Sequence, residues 1–428
     1  MTDDASPAAK LLEWAQLTRL NDLTARLRES NPFYQAKFRA AGIDGPFASM
    51  ADFAARMPFT TKEELVADQA AHPPFGSNRT DPAEKYTRFC ATSGTTGDPV
   101  LITDTPGSWN WMLANWKRCL EEAGVTAADR LYFAFSFGPF LGFWTAFEAA
   151  TGGPGLCIPG GGLSSYARLQ AMERTGATVL LCTPTYALRL AEVAGEKGLN
   201  LERLAVRTIM VAGEPGGCLP AVRGMIRTLW HGAEVIDHHG MTEVGPVTFQ
   251  RPGEPRWLRV MQERYFAEIL DPETGQPVAD GQVGELVLTP LGRTAWPLLR
   301  YRTRDLVRKR LDPEAPESAV GLILDGGILG RSDDMIIVRG VNIYPSALEE
   351  VVRGVPGVAE FLVHLRRDGT LDDLSLEVEP KPGIDGAGTV RTLQERLESA
   401  FSLRINVRLA SEALPRYEMK AKRWLQNG

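Results

Sequence analysis

The chain has 428 residues, of which 44% are hydrophobic and 23% charged, a composition that is ordinary for a globular protein of two or three domains. Its net charge of −6 provides no basic surface, which argues against a nucleic-acid partner. The five cysteines form no C-x-x-C pair, so neither a disulfide framework nor a cysteine zinc site is expected, and a reducing cytoplasm fits. The N-terminus is acidic and polar, and no apolar run approaches about 18 residues, so we predict neither a signal peptide nor a membrane span.

The first part of the chain is predicted to be helical. Leucines recur at helical spacing over residues 9–40, and Pro32 predicts a break and restart of the helix. Another helix is expected to begin near Thr60, because a hydroxyl residue followed three positions later by Glu63 has the pattern of a capping box.

The segment Thr92–Val100 is dense in hydroxyl residues and glycine, which predicts a loop. Such a loop can turn several backbone N–H groups toward one point and add hydroxyl donors, which would suit a polyphosphate. A surface linker has the same composition and is an equal alternative on these residues alone. The Walker spacing and its lysine are absent, so a P-loop is excluded.

An aromatic segment follows a helix predicted over residues 109–122. Residues 130–137 alternate like a strand, and Gly138-Pro139 breaks the pattern. Most of these aromatic side chains are expected to pack in the core. A flat apolar pocket around the small residue is the functional alternative.

From residue 155 to residue 237, short apolar strands alternate with helices, which predicts a parallel α/β sheet. Ligands bind at the carboxyl ends of such strands, where Gly213–Pro215 and His238–Glu243 lie. The paired histidines allow three interpretations: a metal site with Glu243, buried hydrogen-bonded side chains, or contacts to substrate and base. Closely spaced hairpin patterns after Tyr265 predict a small β subdomain, and residues 346–428 predict a further small domain.

Several short motifs, in one order along the chain, carry a resemblance to a known family. They are TSGTTGDP at 92–99, AGEP at 212–215, HHGMTE at 238–243, YRTRD at 301–305, GRSDDMI at 330–336 and EMKAKR at 418–423. The chain resembles the adenylate-forming (acyl-activating) enzyme superfamily. The phrases MPFTTKEEL and GVNIYP are similar to those of its phenylacetate–CoA ligase branch.

The resemblance implies an α/β fold with two domains: an N-terminal ATP- and acyl-binding domain (1–329) and a small mobile α+β lid domain (330–428). Asp333 would be the hinge, and Gly340 would line the coenzyme A tunnel, where a missing Cβ leaves room. Lys420, Thr242 and Glu243 would be catalytic, and Glu243 would also bind Mg²⁺. The implied ATP-binding residues are Thr92, Ser93, Gly94, Thr95, Thr96, Gly97, Gly213, Glu214, Pro215, His239, Gly240, Met241, Asp305 and Arg331.

The chain departs from the family pattern at two of these places. His239 stands where the family has a tyrosine that stacks on adenine, and Met419 stands where glycine precedes the catalytic lysine. Lys422 is the alternative lysine if the register differs, and a solvated basic tail is the functionless alternative.

The acyl pocket implied by the resemblance is formed by Phe135, Phe137, Gly138, Phe140, Tyr186, His238 and Ala212. The expected activity is that of an aryl acid–CoA ligase acting on a phenylacetate or on an amino- or hydroxybenzoate. ATP, Mg²⁺ and coenzyme A are the expected cofactors, no zinc is expected, and relatives of this branch are often homodimers. The alternatives are an enzyme that loads an aryl acid on a carrier-protein thiol and an inactive nucleotide-binding scaffold.

Overall fold

A computed structural model describes most of the chain, namely residues 6–92, 98–312, 321–339, 341–368, 371–418 and 421–427. The chain opens with four helices: α1 (Pro7–Ser30), α2 (Pro32–Ala40), α3 (Met50–Arg56) and α4 (Lys62–Ala71). The predicted break at Pro32 is confirmed, because Asn31 ends α1 and its side chain accepts a hydrogen bond from the Tyr34 amide at 3.0 Å. This cap begins α2 in the usual way.

The capping box predicted at Thr60 and Glu63 is wrong by one residue. Thr61 is the N-cap of α4, and Glu64 completes the box. Thr60 cannot cap the helix because its backbone bonds to residues 300 and 302 and its hydroxyl donates to the Leu299 carbonyl at 2.8 Å. The tertiary contact therefore delays the helix start.

The predicted phosphate loop lies between two paired strands, β1 (Arg88–Ala91) and β2 (Leu101–Asp104). Thr92 closes its base: its amide donates to the Val100 carbonyl at 3.1 Å, and its hydroxyl accepts from the Val100 amide at 2.9 Å. Ser93, Gly94, Thr95, Thr96 and Gly97 lie outside the described residues.

A five-stranded parallel sheet follows, as predicted from the alternation of strands and helices. Its strand order is β4-β3-β5-β6-β7, and every neighbouring pair is parallel. Its strands are β3 (Arg130–Phe133), β4 (Leu156–Pro159), β5 (Val179–Cys182), β6 (Thr208–Ala212) and β7 (Glu234–His238). Its helices are α5 (Pro106–Glu122), α6 (Leu141–Thr151), α7 (Ser165–Thr175), α8 (Pro184–Glu196) and α9 (Pro220–Leu229).

Two separate cores cover the two faces of this sheet. Alternate strand residues such as Phe133 and Leu181 pack with α5 and α6, whereas Tyr132 and Leu180 pack with α7, α8 and α9. The period of two along a strand produces this division. The face of the sheet on which a side chain lies therefore decides which of the two groups of helices it can contact.

After a short hairpin of β8 (Gly240–Met241) and β9 (Gly245–Pro246), the chain forms a six-stranded antiparallel sheet, as the hairpin patterns predicted. Its order is β10-β11-β15-β14-β13-β12. Its strands are β10 (Thr248–Phe249), β11 (Trp257–Val260), β12 (Tyr265–Leu270), β13 (Val283–Pro290), β14 (Tyr301–Leu311) and β15 (Leu322–Arg331).

The remaining residues build a core of their own from side chains between Val338 and Val407. A four-stranded sheet in the order β20-β19-β18-β21 carries two helices. The elements are β16 (Ile336–Val338), β17 (Val341–Ile343), α10 (Pro345–Arg353), β18 (Val358–Asp368), β19 (Leu371–Pro380), α11 (Gly386–Phe401), β20 (Asn406–Leu409) and β21 (Trp424–Asn427). In the part of the chain that is described, no helix has the length and apolar character that crossing a bilayer requires.

Candidate active site

The candidate residues gather where the strands of the parallel sheet end. Ala212 and His238 are register partners at the carboxyl ends of β6 and β7. The loop after β3 joins them from the other side of β5, and its Pro139 carbonyl accepts a hydrogen bond from the Ala91 amide at 2.7 Å. The aromatic segment and the base of the predicted phosphate loop are therefore neighbours.

A buried ion pair ties this region to the segment that contains Thr242 and Glu243. Arg293 Nε donates to Asp104 Oδ1 at 2.9 Å, and the side chains of both residues are almost completely buried. The same guanidinium donates to the carbonyls of Thr242 and Glu243, each at 2.8 Å. Because Asp104 ends β2, Arg293 connects the strand after the predicted phosphate loop to the predicted magnesium ligand.

Arg293 and Asp104 belong to none of the sequence motifs and were not predicted as site residues. They are 189 positions apart, and no short motif connects them. The one signal was an arginine inside an otherwise apolar stretch, since all other residues from Leu291 to Leu299 except Gly292 and Thr294 are apolar. A charge that is buried must be paired, but the sequence cannot name its partner.

Glu243 lies buried beside the antiparallel sheet. The Tyr301 hydroxyl donates to Glu243 Oε1 at 3.3 Å, and Tyr301 begins β14. The carboxylate is a hard oxygen ligand of the kind that Mg²⁺ prefers. Among the described residues, no group of three or more histidine, cysteine or acidic side chains is arranged to hold a metal ion. A magnesium ion here would therefore depend on Glu243 with phosphate oxygens and water, as is common for this ion.

The buried residues His239 and Asp305 form a second group with the partly exposed Arg331. His239 Nε2 lies 3.4 Å from Asp305 Oδ2, and Arg331 Nη1 lies 3.5 Å from Asp305 Oδ1. Although it is buried, His239 Nε2 makes no hydrogen bond within the described structure. A buried polar atom in this position fits a bound partner such as a nucleotide, whose ribose hydroxyls and base offer hydrogen-bonding groups.

Both histidines are held in the neutral form. Burial lowers the pKa of His238 to about 4, although a hydrogen bond to the Thr248 carbonyl opposes this shift. Burial, together with the electrostatic effects of His238 and of the positive charge of Arg331, lowers the pKa of His239 to about 3. His238 Nδ1 lies 2.7 Å from the Thr248 carbonyl, so Nδ1 carries the proton and Nε2 is an acceptor.

The depressed pKa of His239 predicts a pH-dependent stability. The unfolded chain binds a proton at this residue near pH 6.5, whereas the folded chain does not, so the stabilisation is present above pH 6.5 and is lost as the pH falls toward 3. We expect the parent to lose about 3 kcal/mol more unfolding free energy than His239→Asn between pH 7 and pH 4. Asp237, whose pKa burial raises to about 6, has the opposite effect but is present in both proteins. Urea unfolding at both pH values measures the unfolding free energies. An equal loss between pH 7 and pH 4 in the two proteins would contradict this assignment.

The candidate acyl residues after β3 form an aromatic cluster with α6. Phe135 stacks on Phe143 with ring centroids 4.3 Å apart, and Phe137 meets Phe147 edge to face at 5.3 Å. Phe140 contacts the Phe143 ring from the start of α6. A Cβ at Gly138 would lie 3.0 Å from the Phe140 ring, so a larger residue would displace that ring.

The hairpin that carries Gly240 and Met241 borders the same space. The strands β8 and β9 contact α6, and a Cβ at Gly240 would lie 3.2 Å from His238 Nε2 and 2.9 Å from the Gly245 carbonyl. On its other side, the His238 ring lies 4.3 Å from the Trp116 ring in α5. The acceptor nitrogen of His238 therefore lies next to Gly240 in β8, where a side chain would crowd the backbone of β9.

The structure does not bring Tyr186 together with this cluster. Tyr186 lies in the first turn of α8 and packs in the core on the opposite face of the sheet. Its hydroxyl lies 3.0 Å from the Ser165 hydroxyl. Its position after β5 follows the predicted topology, but the face it occupies depends on packing.

The predicted hinge lies in a network of charges. Asp333 accepts two hydrogen bonds from Arg331, at 2.9 and 3.0 Å, and one from Arg304 at 3.0 Å. Burial raises the pKa of Asp333, but the bonds and charges of the two arginines outweigh it and hold the pKa below its usual value. Arg331 thus contacts both the buried Asp305 and the predicted hinge residue Asp333.

Of the remaining candidates, the loop after β6 lies within the described residues. Gly213 and Pro215 are exposed on the loop after β6, while Glu214 between them is partly buried and contacts residues 185 and 421. Lys420 and Gly340 lie outside the described residues, as does most of the predicted phosphate loop. Their roles stay predictions.

Comparison with known proteins decides the family. The model of the AMP-binding enzyme family matches residues 48–290, and that of the AMP-binding enzyme C-terminal domain matches residues 340–427. The chain belongs to the AMP-binding enzyme family. Its C-terminal match coincides with the separate core beyond residue 338.

Curated relatives place the chain in one branch of that family. A phenylacetate–coenzyme A ligase of Thermus thermophilus is 33% identical over 85% of this chain and 80% of its own length. A phenylacetate–coenzyme A ligase of Escherichia coli is 31% identical over 96% and 94%. These relatives confirm the predicted phenylacetate–CoA ligase-like branch and the predicted class of enzyme, an AMP-forming acid–thiol ligase.

A solved relative also shows which domain arrangement the chain has. A 2-hydroxyisobutyryl-CoA ligase in its post-adenylation state matches with a TM-score of 0.90 at 29% identity, over 99% of this chain and 91% of that protein. The same ligase in its thioesterification state matches with a TM-score of 0.71 at 30% identity, over the same shares of the two chains. The domain arrangement of this chain is therefore closer to the first state.

Proposed function

We propose that the protein is an ATP-dependent aryl acid–CoA ligase of the phenylacetate or amino- or hydroxybenzoate type. The observation that carries this proposal is the similarity to phenylacetate–coenzyme A ligases over most of both chains. The aromatic cluster at the end of β3 supports a flat apolar acid, because rings pack favourably edge to face and in offset stacks. The comparisons do not favour loading of a carrier protein.

The reaction has two steps under this proposal. A carboxylate oxygen of the acid forms a bond to the α-phosphorus of ATP, and pyrophosphate leaves with the bonding electrons. The thiol sulfur of coenzyme A then attacks the acyl carbon, AMP leaves, and the thiol proton passes to solvent. We assign the ribose to Asp305, the base to His239, the acyl group to the aromatic cluster beside His238, and the developing negative charge to Lys420.

We also assign the magnesium and phosphate ligands, the domain boundary, the cellular location and the oligomeric state. Mg²⁺ held at Glu243 would offset the phosphate charge, and Thr242 would bind phosphate. We place the domain boundary at residues 329 and 330 and the hinge at Asp333. A cytoplasmic location and a homodimer complete the proposal, and light scattering of the purified protein tests the dimer.

Pyrophosphate release against a panel of acids tests the activity. The panel contains phenylacetate, amino- and hydroxybenzoates, 2-hydroxyisobutyrate and short aliphatic acids, each with and without coenzyme A. We expect the highest kcat/KM for an aryl acid, with many turnovers only when coenzyme A is present. A preference for 2-hydroxyisobutyrate would contradict the aryl assignment, and turnover that is independent of coenzyme A would contradict the ligase.

Glu243→Gln is expected to lower the rate of adenylation about 100-fold, because it removes the negative charge that would bind magnesium while it keeps the side-chain volume. Tyr301→Phe is the matched control: it deletes only the 3.3 Å hydrogen bond to this carboxylate and is expected to cost about tenfold or less. Pyrophosphate release at several magnesium concentrations measures both. Equal losses in the two variants would show that Glu243 acts through the hydrogen bond and not as a metal ligand.

A further inference from the structure

Glu214 joins two domains through its two carboxylate oxygens. Oε1 accepts a hydrogen bond from the Thr185 amide at 2.9 Å, at the start of α8 in the N-terminal domain. Oε2 accepts one from the Ala421 amide at 3.1 Å, in the C-terminal domain. Ala421 directly follows Lys420 in the sequence. One side chain therefore fixes the backbone next to the predicted catalytic lysine.

The carboxylate of Glu214 is partly buried, so its hydrogen bonds contribute more than they would at an exposed position. Burial raises the pKa of this carboxyl group, and the hydrogen bonds from Thr185 oppose that shift. Backbone amides that donate to a carboxylate form stronger bonds than neutral pairs do. A partly buried carboxylate that loses one of its two donors must either recover water or lose stability.

Two further contacts hold the same segment against the same surface. The Ser165 hydroxyl donates to Glu418 Oε1 at 3.0 Å, and Arg416 Nε lies 3.3 Å from Glu192 Oε2. Ser165 begins α7 and Glu192 lies in α8. Arg416, Glu418 and Ala421 thus each contact the N-terminal domain. Of the three, Ala421 is the nearest to Lys420 in the sequence.

We propose that Glu214 is a positioning residue for the adenylation step: its carboxylate anchors the segment that carries Lys420 while the acid reacts with ATP. The inference rests on the proposed function, in which Lys420 serves this first step. It agrees with the domain arrangement, which resembles the post-adenylation state of a related ligase. It differs from the ATP-binding role that the sequence motif implied for Glu214.

A positioning role and an adenine-binding role for Glu214 predict different kinetics. A residue that only positions the lysine segment affects kcat of adenylation, because it touches neither ATP nor the acid. It has no role in thiolysis, for which the family implies that the C-terminal domain has rotated away. A residue that binds adenine would instead raise the KM for ATP and weaken both steps.

The kinetic test compares Glu214→Gln with Glu196→Gln, a matched change at an exposed carboxylate of α8 whose contact is with Arg189. Glutamine keeps the size of the side chain but can accept only one of the two amides. We expect adenylation to slow roughly 10- to 100-fold with the KM for ATP unchanged. Thiolysis of supplied phenylacetyl-adenylate should stay within about twofold of the parent. A raised KM for ATP, or equal losses in both steps, would overturn the proposal.

A second measurement does not depend on turnover. Amide hydrogen exchange of the full-length protein reports on the peptide that contains Ala421. Glu214→Gln should speed exchange at the Ala421 amide about tenfold, and Glu196→Gln should not. Unchanged exchange in Glu214→Gln would overturn the anchor even in a protein that activates none of the tested acids, whereas inactivity of the parent with faster exchange in the variant would fault only the proposed function.

Discussion

Lys420→Ala is expected to lower the rate of acyl-adenylate formation about 100- to 1,000-fold. The reason is electrostatic: the α-phosphate and the attacking carboxylate are both negative, and a positioned ammonium offsets the charge that develops between them. Thiolysis of a supplied acyl-adenylate should be almost unaffected, because the family's second step does not use this lysine. Pyrophosphate release measures the first step, and thioester formation from synthetic phenylacetyl-adenylate measures the second.

Lys422→Ala is the matched control, two residues further along the same segment. The Lys422 carbonyl accepts a hydrogen bond from the Tyr417 hydroxyl at 2.7 Å, a contact that does not need the lysine side chain. We therefore expect a small effect from this variant. A large loss in Lys422→Ala with little change in Lys420→Ala would show that the motif was aligned in the wrong register, and equal losses in both steps would show that the lysine does not act in adenylation alone.

Arg293→Met is expected to destabilise the N-terminal domain by about 3–5 kcal/mol. The change leaves the buried Asp104 carboxylate without its partner and removes the donor to the carbonyls of Thr242 and Glu243. Removing one member of a buried pair is costly because the other charge stays out of water. The midpoint of urea unfolding measures the effect, and adenylation should fall as the Glu243 segment loses its support.

The double variant Arg293→Met with Asp104→Asn isolates the pair. If the cost comes from an unpaired carboxylate, the double variant should lose less stability than the sum of the two single variants, with a coupling of about 1–3 kcal/mol. Arg293→Lys keeps the charge but not the set of directed donors, and should fall between the parent and Arg293→Met. Additive losses would mean that Arg293 and Asp104 act independently.

Much of the fold could be predicted because its signals are local. The alternation of short apolar strands with helices indicated the parallel sheet, and Pro32 marked the break between α1 and α2. The N-cap of α4 was misplaced by one residue because Thr60 bonds to strand β14 and to the Leu299 carbonyl. That contact spans more than two hundred residues, and no local rule contains it.

Candidate site residues that belong to a short sequence motif could be predicted. Those whose position depends on tertiary packing could not. The motifs led to His239, Glu243 and Asp305, which the structure places at buried positions, and to the partly exposed Arg331, which contacts Asp305. They did not lead to Arg293, whose partner is remote in sequence. Tyr186 had the right place in the topology, but its side chain enters the core on the other face of the sheet.

The fate of oxygen-18 from doubly labelled phenylacetate tests the central claim most directly. If the carboxylate attacks the α-phosphorus of ATP and coenzyme A then displaces AMP, one labelled oxygen must remain with each AMP formed, and mass spectrometry will find it there. Label in inorganic phosphate, or label only in the thioester and water, would contradict an acyl-adenylate and with it the roles assigned to Glu243, Asp305 and Lys420.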